Sequence, residues 1–173
     1  EQAFYNTIPA GMALDGKSFF YVNPLEVMPE ACEQDERKRH VKNMRQKWFG
    51  CACCPPNLMR TIAAASGYMY TVHNKDLFVN MYVGSNGKVN VGGTQVTLKQ
   101  ETKYPWEGTV KMTVTPAAEK EFTMKIRIPG WVNEQENKTV TIKVNNTPVT
   151  AVAEKGYVAI TRTWKANDVV DID

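Results

Sequence analysis

From Tyr68 onward the chain alternates apolar and polar residues with a period of two. Leu77-Phe78-Val79-Asn80-Met81-Tyr82-Val83 is one such run. Val110, Met112 and Val114 alternate with Lys111 and Thr113. Phe122, Met124, Ile126 and Ile128 alternate with Thr123, Lys125 and Arg127, and Val140, Ile142 and Val144 with Thr141 and Lys143. Successive side chains of a strand point to opposite faces, so this pattern predicts strands with one face buried and one wet. Turn signals part the runs at Ser85-Asn86-Gly87, Gly92-Gly93, Glu107-Gly108, Pro129-Gly130 and Lys155-Gly156. About eight short strands at this spacing predict an antiparallel β-sandwich.

Before Gly67 the style differs. Residues 1–13 read as a helix with Phe4, Ile8 and Met12 near one face, bent or ended by Pro9. Leu14-Asp15-Gly16-Lys17 is a turn signal, and Phe19-Phe20-Tyr21-Val22 a short aromatic strand stopped by Asn23-Pro24. Residues 30–47 carry mixed charge and read as a solvated loop or helix face, with a basic rim for a polar ligand as the sharper alternative. Asn57 to Ser66 reads as a helix capped by Asn57 and stopped by Gly67. The expected division is therefore 1–66, mainly helical, and 67–173, a β-sandwich. The chain starts like the inside of a helix and ends like the inside of a strand, so it is expected to be a piece of a longer polypeptide.

Composition narrows the class. Of 173 residues, 43% are hydrophobic and 23% charged, which fits a folded domain. The net charge of +3 is too small to argue for nucleic acid or an anionic membrane. No apolar run approaches the ~20 residues needed for a spanning helix. Compartment and homo-oligomer formation stay open, as does export, because an absent signal pattern says nothing in a fragment.

The chemistry concentrates in Gly50-Cys51-Ala52-Cys53-Cys54-Pro55-Pro56-Asn57. Thiolates are soft ligands and strong nucleophiles, so three of them this close suggest metal binding or covalent catalysis. Adjacent cysteines rarely bridge without strain. The following prolines stiffen the backbone. Cys32 completes the set of four cysteines, but the Cys-x18-Cys-x-Cys-Cys spacing is not a common zinc-finger pattern. Cys51 reads as structural or supporting, and Cys32 as structural or exposed. In the β part, His73 reads as a surface or satisfied histidine. Trp106, Trp131 and Trp164 read as core or inter-domain plugs, with a sugar subsite as the rival. The sequons at residues 137–139 and 145–147 read as chance matches in turns.

Several stretches together resemble one family. They are Glu1-Gln2-Ala3-Phe4-Tyr5-Asn6, Leu14-Asp15-Gly16-Lys17-Ser18-Phe19-Phe20-Tyr21-Val22-Asn23-Pro24-Leu25-Glu26, Trp48-Phe49-Gly50-Cys51-Ala52-Cys53-Cys54-Pro55-Pro56-Asn57 and Ile126-Arg127-Ile128-Pro129-Gly130-Trp131. In order and spacing the chain resembles the bacterial glycoside hydrolases of family 127, the β-L-arabinofuranosidase group once called domain of unknown function 1680. The resemblance implies the end of an (α/α) barrel catalytic domain followed by a β-sandwich. It implies a retaining glycosidase acting on β-L-arabinofuranosides or related plant-glycan pentoses. It also implies Cys53 as nucleophile and Cys53 and Cys54 as Zn²⁺ ligands. The remaining glutamate and cysteine ligands and the acid/base glutamate would lie upstream of Glu1. A zinc-bound thiolate is deprotonated at neutral pH, as a nucleophile must be. Two other readings stay open: a non-catalytic carbohydrate-binding or structural sandwich, and a stand-alone zinc module using all four cysteines.

Overall fold

The computed structural model describes residues 2–38, 41–51, 53–132, 140–150 and 152–173. The first sequon, residues 137–139, lies outside the described residues, as do Glu1, Arg39 and Ala52 of the stretches read above. The chain divides into two compact units, Glu1–Ala65 and Ser66–Asp173.

The second unit is a β-sandwich. Its strands are β1 (Tyr70–His73), β2 (Asp76–Val79), β3 (Ser85–Val91), β4 (Thr94–Thr102), β5 (Val110–Pro116), β6 (Lys120–Arg127), β7 (Ile142–Val144), β8 (Thr147–Pro148), β9 (Tyr157–Trp164) and β10 (Asp168–Ile172). A four-stranded sheet runs β1-β2-β6-β9 and a six-stranded sheet β3-β4-β5-β10-β7-β8. Every pairing is antiparallel except β2 with β6, which are parallel from Asp76↔Thr123 to Val79↔Ile126. The mainly β, sandwich-type fold expected from the alternation is thus the one observed.

The period of two explains why these segments pair. Along β5, Val110, Met112, Val114 and Pro116 are buried while Lys111 is exposed. Along β6, Phe122, Met124 and Ile126 turn inward. These side chains join Leu77, Val79, Val96, Leu98, Ile160 and Trp164 in one core. Trp164 is fully buried, stacks on Phe122 with ring centroids 5.6 Å apart, and donates its indole N–H to the Phe122 carbonyl at 3.0 Å. A buried indole N–H left without an acceptor would be costly, so this bond lets tryptophan serve as a core residue. Among the described residues two polar side chains are also buried, and each makes hydrogen bonds, although Gln100 Oε1 has no partner. Gln100 donates to the Tyr70 hydroxyl at 2.6 Å and the Met81 carbonyl at 3.1 Å. Asp168 accepts from the Asn145 amide at 2.8 Å and the Lys165 backbone N–H at 2.9 Å.

The turns carry the residues that their backbone demands. Gly92 and Gly93, both at positive φ, join β3 to β4. Asn145 and Asn146 do the same between β7 and β8, with φ of 49° and 66°. Two-residue hairpin turns of this hand need a left-handed backbone, which Gly and Asn adopt most readily. The Asn145 side chain, the acceptor position of the second sequon, is fully engaged, since its oxygen also accepts from the Val169 N–H at 2.8 Å.

The first unit is different in kind. A π-helical segment, Ala3–Thr7, runs into α1 (Ile8–Ala10). Then follow α2 (Pro29–Gln34), a 3₁₀ turn at Glu36–Lys38, and α3 (Pro56–Ala63). A further helical turn, α4 (Ser66–Met69), opens the second unit. Gly67 therefore lies within a helical turn instead of stopping the helix before it. Phe19-Phe20-Tyr21-Val22 is not a strand: Phe19 makes isolated bridges to Met12 and Gln46, with no regular ladder beyond them. Among the described residues of this unit only Gly11 is buried, and Leu14, Leu25, Trp48 and Met59 are exposed.

The sandwich core sets the expected effect of substitution. Leu98→Ala should lower the unfolding free energy by about 3 kcal/mol, because a buried leucine leaves a cavity when truncated. Lys88→Ala, on an exposed position of the neighbouring strand, should change it by less than about 0.5 kcal/mol. Urea denaturation followed by tryptophan fluorescence checks both.

Candidate active-site loop

The cysteine loop is framed by two local structures. Upstream, residues 13–18 form a tight turn. Ala13 N–H bonds the Ser18 carbonyl at 2.8 Å, Gly16 sits at φ +68°, and Asp15 Oδ1 accepts from Lys17 N–H at 3.0 Å. Phe19 then exchanges both backbone hydrogen bonds with Gln46, at 3.0 and 2.9 Å, and Phe20 N–H bonds the Gly11 carbonyl at 2.8 Å. These bonds draw the segment that carries Tyr21 beside the segment that leads into the cysteines. The Phe49 ring lies against both Phe19 and Tyr21, each at 5.4 Å between centroids. Arg45 covers the Phe20 ring at 4.7 Å and donates to the Ala10 carbonyl at 2.5 Å.

Downstream, the cysteine pair runs directly into α3. Asn57 N–H bonds the Cys54 carbonyl and Leu58 N–H the Pro55 carbonyl, both at 3.0 Å. Pro55 holds the cap position and Pro56 the first helical position, where the missing N–H costs nothing. Asn57 consequently lies inside the helix and does not cap it. Its side-chain oxygen accepts from Arg60 at 2.8 Å instead. The prolines displaced the cap expected at Asn57.

Cys51, Cys53 and Cys54 are free and exposed, and Cys32, on α2, is free and half-buried. Cys53 Sγ and Cys54 Sγ are 3.5 Å apart. The Tyr21 hydroxyl lies 2.5 Å from Cys53 Sγ and 3.8 Å from Cys51 Sγ. Its hydrogen bond to Cys53, backed by Cys54 and Cys51, pushes the phenol well above its ordinary value. A phenol is protonated near neutral pH even without this shift, so the Tyr21 O–H can donate to sulfur. Two cavities flank the loop. One, of about 320 Å³, is walled by Trp48, Phe49, Cys51 and Met59. The other, of about 220 Å³, has Tyr21, Asn23, Cys54 and Thr61 among its lining residues.

The sulfur pair fits part of a zinc site. Zn–S bonds of about 2.3 Å in tetrahedral geometry set neighbouring sulfurs about 3.8 Å apart, close to the Cys53–Cys54 separation. Among the described residues no set of three His, Cys, Asp or Glu side chains is gathered for a metal. A complete four-cysteine site is thus not formed among them, and the pair supplies two ligand positions at most. Tyr21 is the site residue that the sequence reading passed over. It lies in the aromatic stretch read as a strand, and nothing in local spacing ties residue 21 to residue 53.

Comparison with known proteins identifies the family. Residues 1–67 match the profile of the β-L-arabinofuranosidase GH127 catalytic domain, and residues 76–173 that of the GH127 middle domain. The chain belongs to glycoside hydrolase family 127. It is 35% identical over 163 residues to a non-reducing end β-L-arabinofuranosidase of Bifidobacterium longum subsp. longum, covering 91% of this chain and 24% of that protein. A crystal structure of a GH127 β-L-arabinofuranosidase from Geobacillus stearothermophilus T6 matches with a TM-score of 0.84 and 49% identity, over 99% of this chain and 26% of that one. A solved GH127 β-arabinofuranosidase matches with a TM-score of 0.83 and 36% identity, over 99% of this chain and 27% of that one. The chain thus spans about a quarter of the length of these relatives. Among the described residues no helix is long and apolar enough to cross a membrane.

The exposure of the loop makes its thiols testable. In the native 173-residue chain, iodoacetamide should alkylate Cys51, Cys53 and Cys54 before the half-buried Cys32. Peptide mass spectrometry over a time course reads the order.

Proposed function

We propose that the full-length protein is a retaining glycosidase that cleaves β-L-arabinofuranosides or related pentosides through a thioglycosyl intermediate on Cys53. The observation that carries this reading is the Tyr21 hydroxyl held 2.5 Å from Cys53 Sγ, with Cys54 Sγ 3.5 Å away, on an exposed loop. The relatives that are β-L-arabinofuranosidases support the sugar class. Most retaining glycosidases use a carboxylate nucleophile about 5 Å from an acid/base carboxyl. Here a sulfur takes the nucleophile's place.

In the first step Cys53 Sγ attacks the anomeric carbon. A C–S bond forms as the glycosidic C–O bond breaks, and the leaving oxygen takes a proton from a carboxylic acid outside this chain. In the second step that carboxylate removes a proton from water, whose oxygen displaces the sulfur. Two inversions restore the starting configuration. Tyr21 donates to Cys53 Sγ and holds the sulfur in one direction, which matters because a nucleophile misplaced by a fraction of an ångström loses much of its rate. Cys53 and Cys54 would hold Zn²⁺ together with ligands from elsewhere. Bound zinc would supply a deprotonated, positioned thiolate. A stand-alone zinc module finds less support, since no third described ligand joins the pair.

Three outcomes are expected of the full-length protein. Cys53→Ser should lower kcat by more than about a thousandfold, as loss of a nucleophile does, and near-normal turnover would refute the nucleophile. Tyr21→Phe should lower kcat by about ten- to a hundredfold, the usual cost of losing a group that orients a metal-site ligand. Hydrolysis of a chromogenic β-L-arabinofuranoside measures both. A strong chelator should abolish activity and added Zn²⁺ should restore it, with metal content followed by elemental analysis; full activity in verified metal-free protein would remove zinc from the mechanism.

A further inference from the structure

The tryptophans of the sandwich do not share one role. Trp164 is sealed in the core, whereas Trp131 is 38% exposed and Trp106 88% exposed. A ring of this size gains free energy by leaving water, so two wetted indoles at one place ask for a function. Both line a single cavity of about 520 Å³ on the second unit. That volume falls in the range of about 300–1,000 Å³ usual for small-ligand sites.

The cavity wall is built and braced. Trp131 stands in the 3₁₀ turn Gly130–Val132, just after β6. Tyr104 stacks on it with centroids 6.4 Å apart and planes 27° from parallel. Tyr82 meets Tyr104 edge-on at 5.7 Å, and its hydroxyl donates to the Arg127 carbonyl. Trp106 rises from the connection between β4 and β5, where its backbone N–H bonds the Lys103 carbonyl at 3.0 Å and Lys103 pairs with Glu107 at 2.9 Å. Arg127 and Asp173 add one charge of each sign to the lining.

This combination suits a sugar. A pyranose or furanose ring presents a flat C–H face to an indole and a rim of hydroxyls to charged and polar groups. Nucleic acid would call for an excess of cationic side chains, and this lining has one cation against one anion. We infer that the sandwich carries a glycan-binding subsite at Trp106 and Trp131, which holds one or two rings of a pentose-rich plant polysaccharide. The sugar class rests on the proposed activity, while the binding itself does not depend on Cys53.

Native gel electrophoresis of the full-length protein through a gel containing soluble plant arabinan tests this. The unaltered protein should be retarded. Trp106→Ala and Trp131→Ala should each weaken apparent affinity by up to about tenfold, the loss of one aromatic stacking partner. For Trp106→Ala the thermal unfolding midpoint and the turnover of a small β-L-arabinofuranoside should stay unchanged. Trp106 is almost wholly exposed, so its variant keeps its fold even if the Trp131 variant does not. Unretarded wild-type protein, or variants retarded as strongly as wild type, would overturn the subsite. A lowered unfolding midpoint for Trp106→Ala with retardation intact would also overturn it, marking the rings as a packing surface for another part of the polypeptide. Cys53→Ser should leave retardation in place, so failure of the nucleophile and failure of the subsite are distinguishable.

Discussion

The two sheets of the second unit hold together because β2, β4, β5, β6, β7 and β10 bury alternate side chains in one shared core. The rest of that unit depends on this constraint. A one-residue slip in any strand would carry its apolar set to the solvent face. Register is therefore pinned, and with it the points where loops leave the sheets. The wall of the aromatic cavity follows directly. Trp131 comes immediately after β6 and Trp106 lies between β4 and β5, so fixing those strands fixes where the two indoles stand. The buried polar residues respect the same constraint. Gln100 and Asp168 are buried, and the Gln100 amide nitrogen and the Asp168 carboxylate make their hydrogen bonds within the fold, while Gln100 Oε1 has no partner.

The two units rest on different physics. The second has a continuous core in which, among the described residues, twelve side chains from Trp164 to Val114 are essentially withdrawn from water. The first has turns, short helical segments, backbone bridges and ring contacts, yet only one buried residue among those described. Hydrogen bonds of this kind contribute about 1 kcal/mol each once exchanged against water. The local shape around the cysteines thus comes from direction-setting contacts: the Phe19–Gln46 bridge, the Phe49 ring between Phe19 and Tyr21, and the prolines at the start of α3.

How much of this was legible in the sequence follows the range of each interaction. The strands at Val110–Val114 and Phe122–Ile126 could be read because alternation is local. The Gly92-Gly93 turn is readable for the same reason. The parallel pairing of β2 with β6 could not be read, since it joins residues more than forty positions apart and leaves no periodic trace. Phe19-Phe20-Tyr21-Val22 has strand propensity, but without a full partner edge the tendency yields only single bridges. Asn57 looked like a cap until the two prolines before it took the cap and first helical positions. At the candidate site, the thiol cluster was plain from spacing. The link from residue 21 to residue 53 was not, because it is made by folding alone.

That link carries a consequence for the loop. Written as sequence, Cys51, Cys53 and Cys54 are three copies of one functional group, and nothing inside Cys-Ala-Cys-Cys ranks them. The phenol of Tyr21 breaks the tie: it stands 2.5 Å from one sulfur and 3.8 Å from another. The identity of the distinguished thiol is therefore stored outside the thiol motif, in an aromatic segment with no nucleophile of its own. A cysteine loop transplanted without that segment would keep its three thiols and lose the contact that tells them apart.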